Sequence, residues 1–247
     1  MLKRVLLAAI LCGLAASLLM SGAQHLRVVP LIAEAESFEG GHSHDHSHAH
    51  EETTAPAAAT PETGHSHDHG TGHDHGAADD HGTGPDLKRI GLTVTANAAT
   101  GISFALILTA AALLLRLPIT RENGLIWGFL GFTAFNLAPA IGLPPELPGM
   151  PAGDLFARQI WWWQTVIATG GAFLLMAKVK NIAATLAGVA LIALPHLIGA
   201  PSPVTHESAL PPHLASAYAA NALASSLLLW VLIGVFLGKH LNLTHKD

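Results

Sequence analysis

Residues Ile90–Leu115 read IGLTVTANAATGISFALILTAAALLL, a run without one charged side chain, bounded by Lys88 and Arg89 before it and by Arg116 after it. A helix rises about 1.5 Å per residue, so about 20 apolar residues cover the ~30 Å hydrocarbon core of a bilayer. The run is long enough to cross and predicts a membrane-spanning helix. Working outward, similar runs recur at about 123–143, 158–177, 181–199 and 214–238, and an earlier one covers Val5–Ala23 behind Lys3 and Arg4. Charges and prolines gather in the breaks: Arg116–Glu122, Leu143–Pro151, Lys178–Lys180 and Ala200–Pro212. The expected fold is an all-α membrane protein, a bundle of five to six transmembrane helices with a disordered His-rich external loop. Residues 1–38 form the first helix and its juxtamembrane segment, 39–87 the loop, and 88–247 a five-helix bundle.

Composition agrees. Half of the 247 residues are hydrophobic and 12% are charged, against about a quarter charged in soluble domains. A formal charge of −5 with no basic patch excludes nucleic acid as a partner. The single cysteine, Cys12, lies in an apolar run; it forms no intrachain disulfide or CxxC motif and reads as a small apolar residue. There is no P-loop and no GxSxG nucleophile, so an enzyme is not expected and the chain cannot drive transport by its own ATP hydrolysis. No organic cofactor is implied.

The first run has two readings. A basic start and the small-x-small triplet Ser21-Gly22-Ala23 fit a cleaved signal peptide, whereas a length of about 19 apolar residues fits a retained span better. Lys and Arg in short loops orient the rest. With the N-terminus inside, Lys3, Arg4, Arg116, Arg121, Lys178, Lys180, Lys239 and Lys246 are cytoplasmic, against Arg27, Lys88, Arg89 and Arg158 outside. The expected location is the bacterial inner membrane, multi-pass, with the loop on the periplasmic side. The same orientation leaves only His240, His245, Glu122 and Asp247 of all His, Asp and Glu residues on the cytoplasmic side.

Between Gly40 and Asp86 there is no large apolar residue, so nothing there can bury enough surface to offset the entropy of ordering. The segment carries His42, His44, His46, His48, His50, His65, His67, His69, His73, His75 and His81, with HSHDH at His42–His46 and again at His65–His69. Neutral imidazole suits Zn, Ni, Cu and Co, and Asp45, Asp68 and Asp74 add oxygen donors. A divalent-metal collector is expected, without selectivity of its own. Loading should fall as pH drops through about 6.5, because the ligands must be neutral. Left unconstrained, a loop of this length would hold its ends roughly 35–42 Å apart.

Other candidate ligands flank the spans. Glu34 and Glu36 could grip a cation from an extended segment. Glu146 sits in GLPPELPG, a loop stiffened by prolines. His196 follows Pro195 near the outer end of its run, and a histidine at membrane depth is a functional candidate. His206, Glu207 and His213 could complete an N/O set with it. Asp154 and Arg158 have i,i+4 spacing and could pair. Trp161, Trp162 and Trp163 read as an interfacial anchor. Asn97, Asn136 and Asn221 could bond across helices, and small residues such as Gly128, Gly131, Gly170, Gly171 and Gly188 could permit close packing.

Three stretches carry a family resemblance: KRVLLAAILCGLAASLLMSGAQHLRVVPLIAEAESFE at Lys3–Glu39, FNLAPAIGLPPELPGMPAGDLFARQIWWWQT at Phe135–Thr165, and ALPHLIGAP at Ala193–Pro201. In these the chain resembles the CbtA family, proposed cobalt transporter subunits found with cobalamin biosynthesis. The resemblance implies Co(II) as cargo and a small His-bearing membrane partner, CbtB-like. It also implies five spans, where the sequence shows six apolar runs. The expected function is the transmembrane subunit of a divalent-metal transporter, for cobalt uptake with Ni(II) or Zn(II) as other cargoes. The alternatives are a membrane-anchored metal-binding or storage accessory and a zinc or nickel transporter.

Overall fold

The computed structural model describes residues 2–39, 87–205, 207, 208 and 210–241. The eleven histidines from His42 to His81, the disorder expected around them, and His206 all lie outside the described residues. Eight α-helices follow in order: α1 (Leu2–Arg27), α2 (Val29–Glu39), α3 (Leu87–Leu115), α4 (Gly124–Phe132), α5 (Ala138–Gly142), α6 (Leu155–Lys178), α7 (Ile182–Ile198) and α8 (Pro212–Leu241), with a π-helical turn, Thr133–Leu137, joining α4 to α5.

Among the described residues, five helices are long and apolar enough to cross a membrane: α1, α3, the continuous Gly124–Gly142 rod, α6 and α8. The run at 181–199 becomes α7, whose 17 residues reach only about 25 Å. Even so, α7 returns the chain from one end of the bundle to the other, antiparallel to α6. It starts just after Lys178 and carries on its last turn Pro195, whose carbonyl accepts a hydrogen bond from the Trp161 indole near the start of α6 at 3.1 Å. Six apolar runs and five full-length spans are thus both correct, because one run folds into a short helix.

On α1 and α3 the pattern of a soluble bundle is inverted. Small residues face inward (Ala9, Ala16, Ala105, Ala112), while Leu7, Leu11, Leu18, Leu113 and Leu114 face out, where acyl chains would meet them. Lipid is as apolar as leucine, so close backbone approach rather than burial of large side chains holds such helices together. Gly13 of α1 lies against the backbone of Gly101 of α3. The antiparallel crossing of α4 and α8 sets Gly124 and Gly128 against Gly234, Gly238 and the Trp230 backbone. Any Cβ at Gly124 or Gly234 would fall on main-chain atoms of the other helix.

α1 is part of this core. Its Ala9, Cys12, Ala16 and Met20 pack in one cluster with Ala105 and Leu108 of α3 and with Leu229, Trp230, Ile233 and Leu237 of α8. Asn97 ties α3 to α1 by donating to Ser21 Oγ at 3.0 Å and to Gln24 Oε1 at 2.7 Å. Asn221, by contrast, bonds only back along its own helix, to Ala217 O.

The π turn has a local cause. Pro139 offers no N–H, and its ring crowds the carbonyl four residues earlier; the helix widens by one residue to pass it. The turn carries Asn136, whose Oδ1 accepts from Trp230 Nε1 at 2.7 Å. The Trp230 ring stacks on Phe104 with centroids 4.5 Å apart, so one fully buried indole joins α3, α8 and the π turn.

The helices α6 and α7 form a hairpin with ordinary caps. Asp154 Oδ1 accepts from Ala157 N, and Asn181 Oδ1 accepts from Ala184 N. Its glycines meet side chains, not a neighbouring main chain. Gly188 meets Met176, Gly171 is in loose contact with Leu191, and Gly170 faces open space. An apolar groove of about 400 Å³ separates the lower part of α6 from α3 and α4, lined in part by Leu108, Trp127, Gly131, Gly170 and Phe173.

The two ends of the molecule differ in charge. At one end, Val5, Arg116 and Leu241 line a common cavity, and Lys178 Nζ donates to Leu115 O at 2.7 Å. Gly238, one residue before Lys239, abuts Thr120. This end therefore gathers the starts of α1, α4 and α7 and the ends of α3, α6 and α8. The opposite end is organised by a second apolar cluster, in which Ala35 of α2, Leu147 of the proline-rich loop, Leu210 and Leu214 pack together.

Candidate functional site

The candidate ligands Glu34, Glu36, Glu146, His196 and His213 all lie at or near the end opposite Lys178, Lys180 and Lys239. The structure does not bring them together. Among the described residues no group of three or more His, Cys, Asp or Glu side chains is placed to hold a metal ion. The expected N/O set of His196 with Glu207 and His213 therefore does not form among them; Glu207 and His213 are exposed.

The expected extended grip of Glu34 and Glu36 is also corrected. Both lie on α2, where residues two apart point to different sides. Glu34 is exposed, and Glu36 pairs with Arg89 of α3, with Nη2 to Oε1 at 2.6 Å and Nη1 to Oε2 at 3.3 Å. This pair sits where the histidine-rich segment leaves α2 and re-enters at α3. The attachment points are therefore held close together, not 35–42 Å apart as an unconstrained chain would leave them.

Arg158 has a different partner from the one its i,i+4 spacing suggests. Arg158 turns away from Asp154 and donates Nη2 to Glu146 Oε2 at 2.7 Å. The two side chains are only 24% and 23% exposed, against 53% and 42% for Arg89 and Glu36, so the inner pair is screened less by water. Glu146 is presented by a short rigid loop. Prolines 144, 145 and 148 surround it, and Leu147, 2% exposed, anchors the loop in the cluster shared with α2 and α8.

This ion pair lines a cleft of about 460 Å³ between the rod Gly124–Gly142, the proline loop, α6 and α8. Asn136 of the π turn, Gln159, Trp162, Trp163 and Ser226 also line it. Trp162 and Trp163 are thus walls of a cleft. The part of the π turn in this wall was not legible from spacing, because the sequence marks it only through Pro139.

His196 stands apart, on the last turn of α7. Its Nε2 is buried and has no hydrogen-bond partner, and its ring meets the Trp161 edge with centroids 5.7 Å apart. Pro195 leaves the Leu191 carbonyl without an i,i+4 donor near the same depth. The Thr169 hydroxyl, on α6, is the other buried side-chain polar atom among the described residues without a partner.

These observations define a polytopic α-helical membrane protein with the candidate acidic and imidazole ligands at one end and most of the lysines at the other. The chain belongs to the CbtA family, described as a probable cobalt transporter subunit, whose model matches residues 2–242. No curated protein and no solved structure matches it. Cobalt transport and the status of a subunit thus come with the family, and the matched range includes α1 and the histidine-rich segment.

Proposed function

We propose that this chain is the membrane subunit of a cobalt uptake system of the bacterial inner membrane that serves cobalamin biosynthesis. In this reading the histidines from His42 to His81 collect metal on the periplasmic side. The Glu146 cleft and His196 then receive it from the segment whose two roots are pinned by Glu36 and Arg89. α1 is retained in the mature protein, since its removal would strip one wall from the core. The partner is a small His-bearing membrane subunit, CbtB-like, which supplies further ligands. Co(II) is the cargo, and Ni(II) and Zn(II) are accepted less selectively.

The observation that carries this reading is the separation of the two ends. Lysines and arginines accumulate at one end, as in cytoplasmic loops, while the described candidate ligands gather at the other. Single imidazole and carboxylate contacts bind weakly enough to let an ion leave. His196 is the deepest of them, with a buried nitrogen that lacks a partner.

The test is uptake of labelled cobalt by cells carrying the chain and its partner. His196→Ala should lower uptake about tenfold or more, the loss of a ligand contact worth about 1.4 kcal/mol or more, while the protein still reaches the membrane in normal amount. Deleting residues 42–81 should lower uptake at limiting metal and leave it near normal at high metal. Unchanged uptake by the His196 variant would remove that residue from the path.

A further inference from the structure

The Glu146–Arg158 pair is an unusual feature for the mouth of a cation path. A carboxylate that receives a cation is already neutralised by a tethered one. We propose that Arg158 is a charge-selecting counter-ion: it occupies the cation position of Glu146 in the empty cleft and yields it only to a divalent ion, swinging back to Asp154. This rests on the reading that divalent metal enters at this end.

Four observations support it. First, the pair is about three-quarters withdrawn from water, so Glu146 without a counter-charge would be costly. Second, the cleft it lines has about 460 Å³ of room. At about 30 Å³ per water, that accommodates a divalent ion with its inner hydration shell. Third, the amides of Asn136 and Gln159 and the Ser226 hydroxyl line the same space and can contact that shell.

Fourth, the displaced guanidinium has a second carboxylate within reach. Asp154 caps α6 four residues before Arg158, is exposed, and uses Oδ1 for its cap bond to Ala157 N. Residues at this spacing are neighbours along a helix, about one turn or 5.4 Å apart. Arg158 thus chooses between a loop carboxylate and a carboxylate at the start of its own helix.

Charge selection follows from Coulomb's law. A monovalent ion offers Glu146 the same charge as the guanidinium and lacks its oriented hydrogen bond, so exchange gains nothing. A divalent ion offers twice the charge at the same distance. It gains enough to release Arg158, which is then neutralised by Asp154.

The experiment uses the full-length chain in vesicles and follows quenching of tryptophan emission by Co(II), a paramagnetic quencher. Trp162 and Trp163 line the cleft, and the histidine-rich segment is common to every variant, so differences between variants report the cleft. Arg158→Gln should lower the cobalt concentration for half-quenching about three- to tenfold, the range of a partly buried charge-assisted bond, and should make quenching sensitive to added sodium. Glu146→Gln should raise that concentration, and the double variant should behave like Glu146→Gln alone. Asp154→Asn, which still caps the helix, should raise it modestly. Arg158→Lys keeps the charge without the fork and should fall between the wild type and Arg158→Gln, which covers the case in which Arg158→Gln fails to fold. Shifts of Arg158→Gln and Glu146→Gln in the same direction, or no shift in Arg158→Gln and Arg158→Lys, would overturn the proposal. The predicted order of quenching without cobalt flux in the wild type would keep the counter-ion and remove the transport reading; flux with unshifted quenching would do the reverse.

Discussion

The bundle of α1, α3, α4 and α8 and the hairpin of α6 and α7 are built from the same small and apolar residues but held together in different ways. In the first, glycines bring main chains into direct contact: Gly13 on Gly101, and Gly124 and Gly128 on Gly234. In the second, Gly188 and Gly171 meet only the side chains of Met176 and Leu191, and Gly170 meets nothing. The hairpin meets the remaining helices mainly through the π turn and α5, and at the basic end through the exposed bond from Lys178 to Leu115 O. Small residues in a membrane helix therefore do not by themselves define an interface. What matters is whether a neighbouring backbone fills the space. The contrast also has functional meaning. Arg158, Trp162 and His196 belong to the loosely held hairpin, while Asn136 and Ser226, which face Arg158 across the cleft, belong to the tightly held rod and α8.

The largest expected difference between the bundle and the hairpin is at the α4–α8 crossing. Gly234→Val should cost about 3 kcal/mol or more, because a backbone contact cannot repack around the added atoms, and should abolish the folded protein in detergent melting. Gly170→Leu, the matched change in the hairpin, should stay within about 0.5 kcal/mol. Equal sensitivity of the two sites would end the distinction.

A smaller effect concerns Arg116, the only non-glycine residue with positive φ among those described, at +53°. It occupies the left-handed position after α3, with Leu117 N bonded to Ala112 O and Arg116 N to Leu113 O, the arrangement that glycine usually terminates. Arg116→Gly should raise stability by about 0.5–1 kcal/mol, the left-handed strain less the entropy glycine adds to the unfolded chain. A lower melting temperature would show that the arginine side chain contributes more than its backbone costs.

The polar tie between α1 and α3 is smaller again. Asn97→Leu should destabilise by about 0.6 kcal/mol, the usual size of such bonds in membranes. It should also loosen α1, detectable as faster proteolysis near Ser21. No change would mean that the glycine contact of Gly13 with Gly101 carries that interface alone.

Much of this fold was legible because hydrocarbon thickness imposes a length on apolar runs. The spans at Ile90–Leu115 and 214–238 needed only a count, and the two-ended charge distribution needed only the lysines and arginines. The short α7 was less legible, since the run at 181–199 looks long enough until Asn181 caps it and Gly199 ends it. Sequence spacing misassigned Arg158, because i,i+4 proximity to Asp154 is local while its pairing with Glu146 depends on how the proline loop returns over α6. Likewise α2 was read as extended, although Ala35 is buried against Leu147 and Leu214 and needs helical geometry to be so placed. The candidate site was legible as a set of residue types at one end, and illegible as a geometry, because those side chains come from four separate elements.

A cobalt-uptake subunit must carry the metal across the bilayer and not merely hold it at the surface. The direct measurement is metal flux into proteoliposomes containing the chain, with and without the small partner, comparing Co, Ni and Zn. With both subunits present, cobalt should appear in the vesicle lumen, protected from an external chelator. Cobalt that stays bound outside, and is removed by the chelator under every condition, would contradict the uptake role.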